Sequence, residues 1–245
     1  MISIISPSLT MEECNDNYTE LTIPKQIDLT KKIVDKIKTF SENEMKEIMK
    51  LNNKLYILSK KRYDKFKFDL NGSAAISLYS GTVYKNIQPS IFNKDEIEFC
   101  RKHIRILSGL YGVLNPYDSI YEHRIEMKLP IKIEGKDLYG FFGKSLYDLL
   151  VSEDREIVNL CSAEYGKAII PYITNEDKFI TCSFKIYNDG KYKTMSVDAK
   201  AARGKMVNFI VKHKINNLKD LIEFNENGYT YKKEMSSEKE YVFVK

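Results

Sequence analysis

Apolar residues recur along this chain with two periods, and the changes of period mark its elements. Met1 to Ile5 is an isoleucine-rich alternation that stops at Ser6-Pro7, which predicts a buried strand. From Asp28 to Phe40, Leu29, Ile33, Val34 and Ile37 share one helical face. Ser41, with Glu44 three residues on, forms a capping box that opens a second helix to about Leu51. The helical pattern continues from Asn53 to Phe68, with Leu55, Leu58 and Tyr63 as core positions. Ala74 to Tyr79 is a short apolar run before Gly81 and predicts a strand. Asn93 and Glu96 make another capping box, opening a helix towards Ile106, although Ile104 to Leu107 fits a helix or a strand equally well. Gly135 to Leu150 predicts a turn and one helix with Leu138, Phe142, Leu146 and Leu149 in phase, and Ile157 to Leu160 a short buried strand.

The last third carries the clearest signals. Phe179 to Tyr187 and Tyr192 to Val197 flank Asn188-Asp189-Gly190-Lys191, and the Asp-Gly pair tolerates the positive φ of a tight hairpin. After Val197 the period changes from two to 3.6, so Ala199 to Lys214 is predicted helical, with Ala202, Met206, Phe209, Ile210 and His213 on one face. Gly228 to Lys232 and Tyr241 to Val244 follow as closing strands. No repeat, low-complexity tract or long linker interrupts the pattern. The expectation is a single α/β (α+β) domain over residues 1–245, with a central, largely antiparallel mixed sheet flanked by helices.

Composition narrows the function classes more than it names one. No stretch approaches the roughly 18 apolar residues of a membrane span, and Met1 to Leu9 lacks the basic start of a signal peptide. That leaves the cytoplasm as the expected setting and no membrane partner. Cys14, Cys100, Cys161 and Cys182 show no metal-knuckle or redox-loop spacing, and His103, His123 and His213 lie far apart. The expectation is a protein that works with its thiols reduced, with no cofactor and no tightly held metal.

The net charge of +5 is mild, but its distribution is uneven. Between Asp198 and Asp220 no acidic residue occurs, while Lys200, Arg203, Lys205, Lys212, Lys214 and Lys219 are basic. A second block holds Lys54, Lys60, Lys61, Arg62, Lys65 and Lys67 against Asp64, and a third holds Arg101, Lys102 and Arg105 around His103. One such block is ordinarily a solvated helix face; three in one modest chain favour a polyanion, nucleic acid first. Lys200 and Arg203 fall in the first turns of the predicted helix, where the dipole disfavours cations, so they call for an anion. That anion is either a ligand phosphate or a carboxylate of the chain such as Glu126 or Glu164. Ser108-Gly109-Leu110-Tyr111-Gly112-Val113 is a glycine-bracketed turn that can present backbone amides to a phosphate, or be a plain tight turn. Arg124 and Glu126 share a face if their segment is extended, and Ser162 to Tyr165 follow a strand end, a usual place for functional side chains.

Several of these segments, taken together, carry a family resemblance. Ile5-Ser6-Pro7, RILSGLYGVLNPYD (Arg105–Asp118), RIEM (Arg124–Met127), KDLYGFFG (Lys136–Gly143), NLCSAEY (Asn159–Tyr165) and AKAARGKMVNFI (Ala199–Ile210) resemble, in order, the YaaA family of bacterial peroxide stress proteins. The resemblance implies a cytoplasmic protein that limits hydrogen peroxide damage and is associated with lower free intracellular iron. It also implies a family-specific fold with a DNA-binding cationic cleft and a helix-hairpin-helix-like element. By motif match the phosphate-binding residues are Arg105, Ser108, Gly109, Tyr111, Gly112, Arg124, Lys200, Arg203, Gly204 and Lys205, with Ser6, Glu126, Glu164 and Tyr165 as further polar residues of the cleft. One departure stands out: the family's Ser-Pro-Ala-Lys opening reads Ser6-Pro7-Ser8-Leu9 here, and Lys25 and Lys85 are the lysines weighed as replacements.

Two functions follow. The first is a non-enzymatic protein that holds DNA by backbone contacts and keeps iron-generated radicals from it. The second is an enzyme acting on a phosphorylated or nucleotide-like small ligand, with carboxylates handling protons and cations holding phosphate. A pocket of nucleotide size in which Glu126 and Arg203 converge favours the second; a long open basic groove favours the first.

Overall fold

The computed structural model describes residues 1–12 and 20–245, so Cys14 lies outside the described residues. Strand β1 (Ile2–Ile5) is buried throughout and ends at Ser6, as its alternation predicts. Three helices follow: α1 (Ile27–Lys38), α2 (Glu42–Met49) and α3 (Asn53–Asp64). Ile33, Val34 and Ile37 of α1 are buried. Ser41 and Glu44 make both arms of the expected capping box at α2. Helix α3 stops four residues short of Phe68, and of its expected core positions Tyr63 is buried while Leu58 is exposed.

The Ala74–Tyr79 run is not a strand. β2 (Ser73–Ala74) is extended and Tyr79 makes an isolated antiparallel bridge to Met11, but between them α4 (Ala75–Leu78) is a single helical turn whose Ala75, Ile76 and Leu78 are buried. A short run in which all but Ser77 is buried has too little solvent face to set its period, so sequence alone does not separate the two conformations. Gly81, at φ +105°, then turns the chain into α5 (Thr82–Ile87), and the Asn93–Glu96 box opens α6 (Lys94–His103).

The ambiguous stretch after α6 is a strand, β3 (Ile104–Ser108), and it pairs antiparallel with β4 (Gly112–Leu114). The glycine-bracketed turn is therefore a β-hairpin at the sheet margin. Strands flank this turn, not helices, so it is not itself a helix-hairpin-helix-like element. β5 (Ser119–Ile120) pairs with β2. The helix expected over 135–150 is two, α7 (Leu138–Phe142) and α8 (Ser145–Glu153), because Gly143 sits at φ +52° and breaks the run. β6 (Glu156–Asn159), α9 (Ala163–Gly166), β7 (Lys178–Asn188) and β8 (Lys191–Lys193) follow. Asp189 and Gly190 both take positive φ between the last two strands, as the Asp-Gly signal requires. The chain closes with α10 (Ser196–Lys212), β9 (Thr230–Tyr231) and β10 (Glu240–Val244).

Among the described residues one eight-stranded sheet runs in the order β4-β3-β1-β6-β7-β10-β9, with β8 paired to β7. It is mixed and helix-flanked, but the balance of directions is the reverse of the expectation. β3, β1, β6, β7 and β10 are mutually parallel, and antiparallel pairing is confined to β4, β8 and β9. Parallel neighbours need long crossovers, and no local signal announces those as a hairpin announces itself. In chain order the five parallel strands read second, first, third, fourth, fifth. The winding direction therefore reverses between β1 and β6, and the carboxyl ends of strands at such a reversal open a crevice.

Helix α10 seats itself against α5 through Gly204. A β-carbon there would lie 2.2 Å from the Val83 carbonyl oxygen and 2.7 Å from Asn86 Cβ. Gly204 thus serves the close packing of α10 on α5. Gly204→Ala should destabilise the fold by roughly 1–3 kcal/mol, because backbone cannot yield as a flexible side chain can; thermal or urea unfolding against wild type measures it.

Candidate functional site at the strand reversal

The crevice between β1 and β6 holds a cavity of about 470 Å³. Ser6, the first residue beyond β1, and Ser162, beyond β6, close its floor. The Ser162 amide donates to Ser6 Oγ at 2.8 Å, and the two hydroxyls lie 3.3 Å apart. Tyr84 of α5 donates its hydroxyl to the Ser6 carbonyl at 2.9 Å, pinning the end of β1. The walls come from the loop at Ser8 to Thr10, from Ser80 to Tyr84, from Glu126 and Lys128, from Glu164 and Tyr165, and from Lys200 and Arg203 of α10.

The charges of the cavity divide into two groups. On one wall Lys128 Nζ bridges Glu126 at 2.9 Å and Glu164 at 3.2 Å, and the Lys128 amide donates to the other Glu164 oxygen at 3.3 Å. The Glu126 carboxylate first, then that of Glu164, holds the Lys128 pKa above the ordinary lysine value. Arg203 is different. Among the described residues it makes no ion pair, and its Nε is buried without a hydrogen-bond partner. Burial lowers its pKa from the ordinary arginine value, opposed by the nearby Cys161 sulfur. Ser80, 8% exposed and also lining the cavity, has a buried Oγ with no partner. Buried polar groups are ordinarily satisfied, so two orphans around one cavity mark a place where a ligand completes the bonding.

The two alternatives for Lys200 and Arg203 are therefore separated in one respect. Neither pairs with Glu126 or Glu164, which take Lys128 instead. The dipole argument does not hold, because α10 begins at Ser196. Lys200 and Arg203 fall in its second and third turns, beyond the reach of the helix end. Lys205 is half-buried on the same helix and does not line the cavity, and His213, expected on the buried face, is exposed.

The glycine-hairpin residues lie elsewhere. Ser108 is fully buried, and its Oγ accepts the Leu110 and Tyr111 amides at 3.2 Å each, so the turn spends these amides on itself. Gly109 lies where a β-carbon would meet the Glu126–Met127 backbone at 2.9 Å, and at Gly112 one would meet Gln26 Oε1 at 2.1 Å. Tyr111 is buried and accepts the Tyr121 amide at 3.0 Å. Arg105 pairs with Glu153 at 2.7 Å and donates to the Arg101 carbonyl at 2.8 Å. None of these residues lines the cavity, and Arg105 lines a separate one with Asp118 and Glu153. Arg124 and Glu126 do alternate with buried His123, Ile125 and Met127 in an irregular extended segment, but only Glu126 lines the cavity. Tyr165 lines it and is buried, and burial, then the Glu164 charge, puts its pKa well above the ordinary value.

Lys128 escaped the sequence reading, although its place two residues beyond Glu126 in an alternating segment is the signal that finds it. It supplies an amine at the cavity that neither Lys25, paired with Glu153, nor Lys85 supplies. Cys161 lies behind Ser6, and burial pushes its thiol, like those of Cys100 and Cys182, up to about 12. None is a thiolate nucleophile at neutral pH. Among the described residues no helix is long and apolar enough to cross a membrane, and no group of three His, Cys, Asp or Glu side chains could hold a metal ion.

The sequence model of a family described as "Peroxide stress protein YaaA" matches residues 1–235. The chain belongs to the YaaA family of peroxide stress proteins. Its relatives include a UPF0246 protein of Clostridioides difficile, 45% identical over the full length of both chains. Others are UPF0246 proteins of Clostridium botulinum (37% identical, 100% of this chain and 99% of the relative) and Pediococcus pentosaceus (35% identical, 99% and 97%). In this YaaA-family chain the segments that carried the resemblance include residues that line the cavity (Ser6, Glu126, Glu164, Arg203) and a buried run that does not (Arg105 to Tyr111).

Proposed function

We propose that this peroxide stress protein works through the cavity at the strand reversal, which binds a small phosphorylated, nucleotide-like ligand in the cytoplasm. The observation that carries this reading is Arg203, a guanidinium with a buried, unpartnered Nε beside a cavity of ligand size. An unpaired buried cation is costly to the fold, and a phosphate oxygen is its best partner. Lys200 at the exposed side adds charge, Ser80 offers a hydroxyl, and Glu126 and Glu164 line the same cavity as carboxylates for proton transfer.

The three basic blocks favour a long groove less than their composition suggests. Lys212 pairs with Glu96, Lys214 with Asp95, Lys60 with Asp64, Arg62 with Glu122 and Arg101 with Glu98. DNA binding by backbone phosphates, which would shield DNA from iron-driven radical damage, is the second reading. It is supported by the hairpin arm of β7 and β8, residues 186–193, which runs on beyond the pairing of β7 with β6 and β10. That arm carries exposed Tyr187 and Tyr192, their rings 5.1 Å apart, beside exposed Lys191 and Lys193.

Titrating the full chain with inorganic pyrophosphate, a nucleoside diphosphate, single-stranded DNA and duplex DNA at several salt concentrations separates the two. The small phosphates should bind, raise the melting temperature, and compete with any nucleic acid. Duplex binding with a log–log salt slope of about −0.9 per phosphate contacted, untouched by pyrophosphate, would replace the first reading with the second.

A further inference from the structure

Lys128 sits between Glu126 and Glu164 where a metal ion would sit. Its Nζ is within 3.2 Å of one oxygen of each carboxylate. The two carboxylate side chains are 26% and 19% exposed, whereas the lysine side chain is 58% exposed and free to swing into solvent. The pair shares a cavity with Arg203 and Ser80, whose buried Nε and Oγ have no partner. A ligand with two or more phosphates would bring more negative charge than Arg203 and Lys200 neutralise, and would bring it against two carboxylates. Like charges at that range exclude one another unless a cation stands between them.

We propose that Glu126 and Glu164 form a site for a hard divalent cation of the Mg²⁺ class, taken up with the phosphorylated ligand, and that the Lys128 ammonium occupies the place until then. Mg²⁺ prefers this donor set: one or two carboxylates, with the remaining positions filled by phosphate oxygens and water. The protein supplies too few ligands to hold the ion alone, so the ion stays weakly bound until a phosphate arrives. Lys128 keeps its proton when displaced and moves to solvent. The inference rests on the phosphorylated-ligand reading of the cavity, and its test is arranged so that the two can fail separately.

The probes are Mn²⁺, observed by the loss of its free paramagnetic resonance signal, and inorganic pyrophosphate, observed by calorimetry. On wild type, Mn²⁺ should tighten pyrophosphate binding, and pyrophosphate should tighten Mn²⁺ binding, by the same factor of about ten or more. In a Glu126→Gln, Glu164→Gln double variant that factor should fall below about two, while metal-free pyrophosphate binding persists or strengthens. The solution complex of the two probes is common to both samples and cancels from the comparison. Lys128→Met, which removes the competing ammonium, should strengthen Mn²⁺ binding without pyrophosphate. Equal coupling in wild type and the double variant would overturn the cation site, as would unchanged Mn²⁺ affinity in Lys128→Met. If pyrophosphate binds neither protein, the phosphate reading falls. The cation site then stands if Mn²⁺ binding still depends on the two glutamates, and falls with it if not.

Discussion

Arg203→Met should weaken pyrophosphate binding by about 100-fold or more and, at the same time, make the ligand-free protein more stable. The first effect is the loss of charge-assisted hydrogen bonds worth roughly 1.5–3 kcal/mol each, where 1.4 kcal/mol is a factor of ten. The second follows from the absence of an ion-pair partner among the described residues. A partly buried guanidinium with an unsatisfied Nε costs the fold desolvation that nothing among the described residues repays, and replacing fully buried ionic groups by apolar ones of similar volume is neutral or stabilising by about 1–4 kcal/mol, so a gain towards the lower end is expected here. Melting temperature and ligand affinity should therefore move in opposite directions. A variant destabilised by about 3–5 kcal/mol would mean that the guanidinium is paired within the fold, and the functional reading would lose the observation that carries it. Glu126→Gln makes a useful contrast. It breaks one arm of a bridge to a lysine more than half exposed, and solvent-screened pairs are worth about 0–1 kcal/mol.

Asp118→Asn should make the protein lose stability in acid more steeply than wild type, and His123→Gln should make it lose less. His123 is 2% exposed, with its Nδ1 2.8 Å from the Tyr121 carbonyl and its Nε2 3.3 Å from the Tyr79 hydroxyl. The carbonyl can only accept, so Nδ1 carries the proton, and Nε2 receives the Tyr79 hydroxyl. Burial, the largest influence, pushes the His123 pKa down to about 4. An unfolded histidine takes up its proton near 6.5 while the folded one waits until about 4, so acid favours the unfolded chain across that window by about 3 kcal/mol. Asp118 does the opposite. Burial raises it to about 6, against hydrogen bonds from Thr22 and the Asn115 amide. Its folded form therefore binds a proton that an unfolded aspartate releases down to about 3.9, which stabilises the fold by roughly 2–3 kcal/mol as pH falls from 6 to 4. The two contributions offset each other in wild type. Urea unfolding at pH 7 and pH 4.5 on the three proteins resolves them, because other titrating groups cancel in the differences. Parallel stability–pH curves for all three would sink the prediction.

Local chemistry was legible wherever one residue decides one conformation. Asp189-Gly190 takes the positive φ that its hairpin needs, Ser41 with Glu44 and Asn93 with Glu96 cap their helices, and the 3.6 period of α10 shows from Ala202 to Ile210. The resemblance segments also named Ser6, Glu126, Glu164 and Arg203, which come together from four separate stretches of chain. Two kinds of feature stayed hidden. A short, mostly buried run such as Ala75–Leu78, with Ser77 its one polar position, is too brief to declare its period. The glycines of the Ser108–Val113 turn resemble a phosphate loop as a string of letters, but Gly109 and Gly112 make room for the neighbouring backbone and for Gln26.

What the chain determines by itself is thus the set of elements, because periodicity, caps and turn residues act within a few positions of one another. It also determines that cations cluster without equal numbers of nearby carboxylates. Tertiary structure alone decided which cations are spent. Lys212, Lys214, Arg62 and Arg105 meet carboxylates that lie from about fifty to more than a hundred residues away in sequence, while Arg203 reaches a cavity and meets none among the described residues. It decided, too, that the strands run parallel and reverse their winding between β1 and β6. Coulomb attraction and strand pairing depend on distance in space, and that distance exists only once the chain has folded.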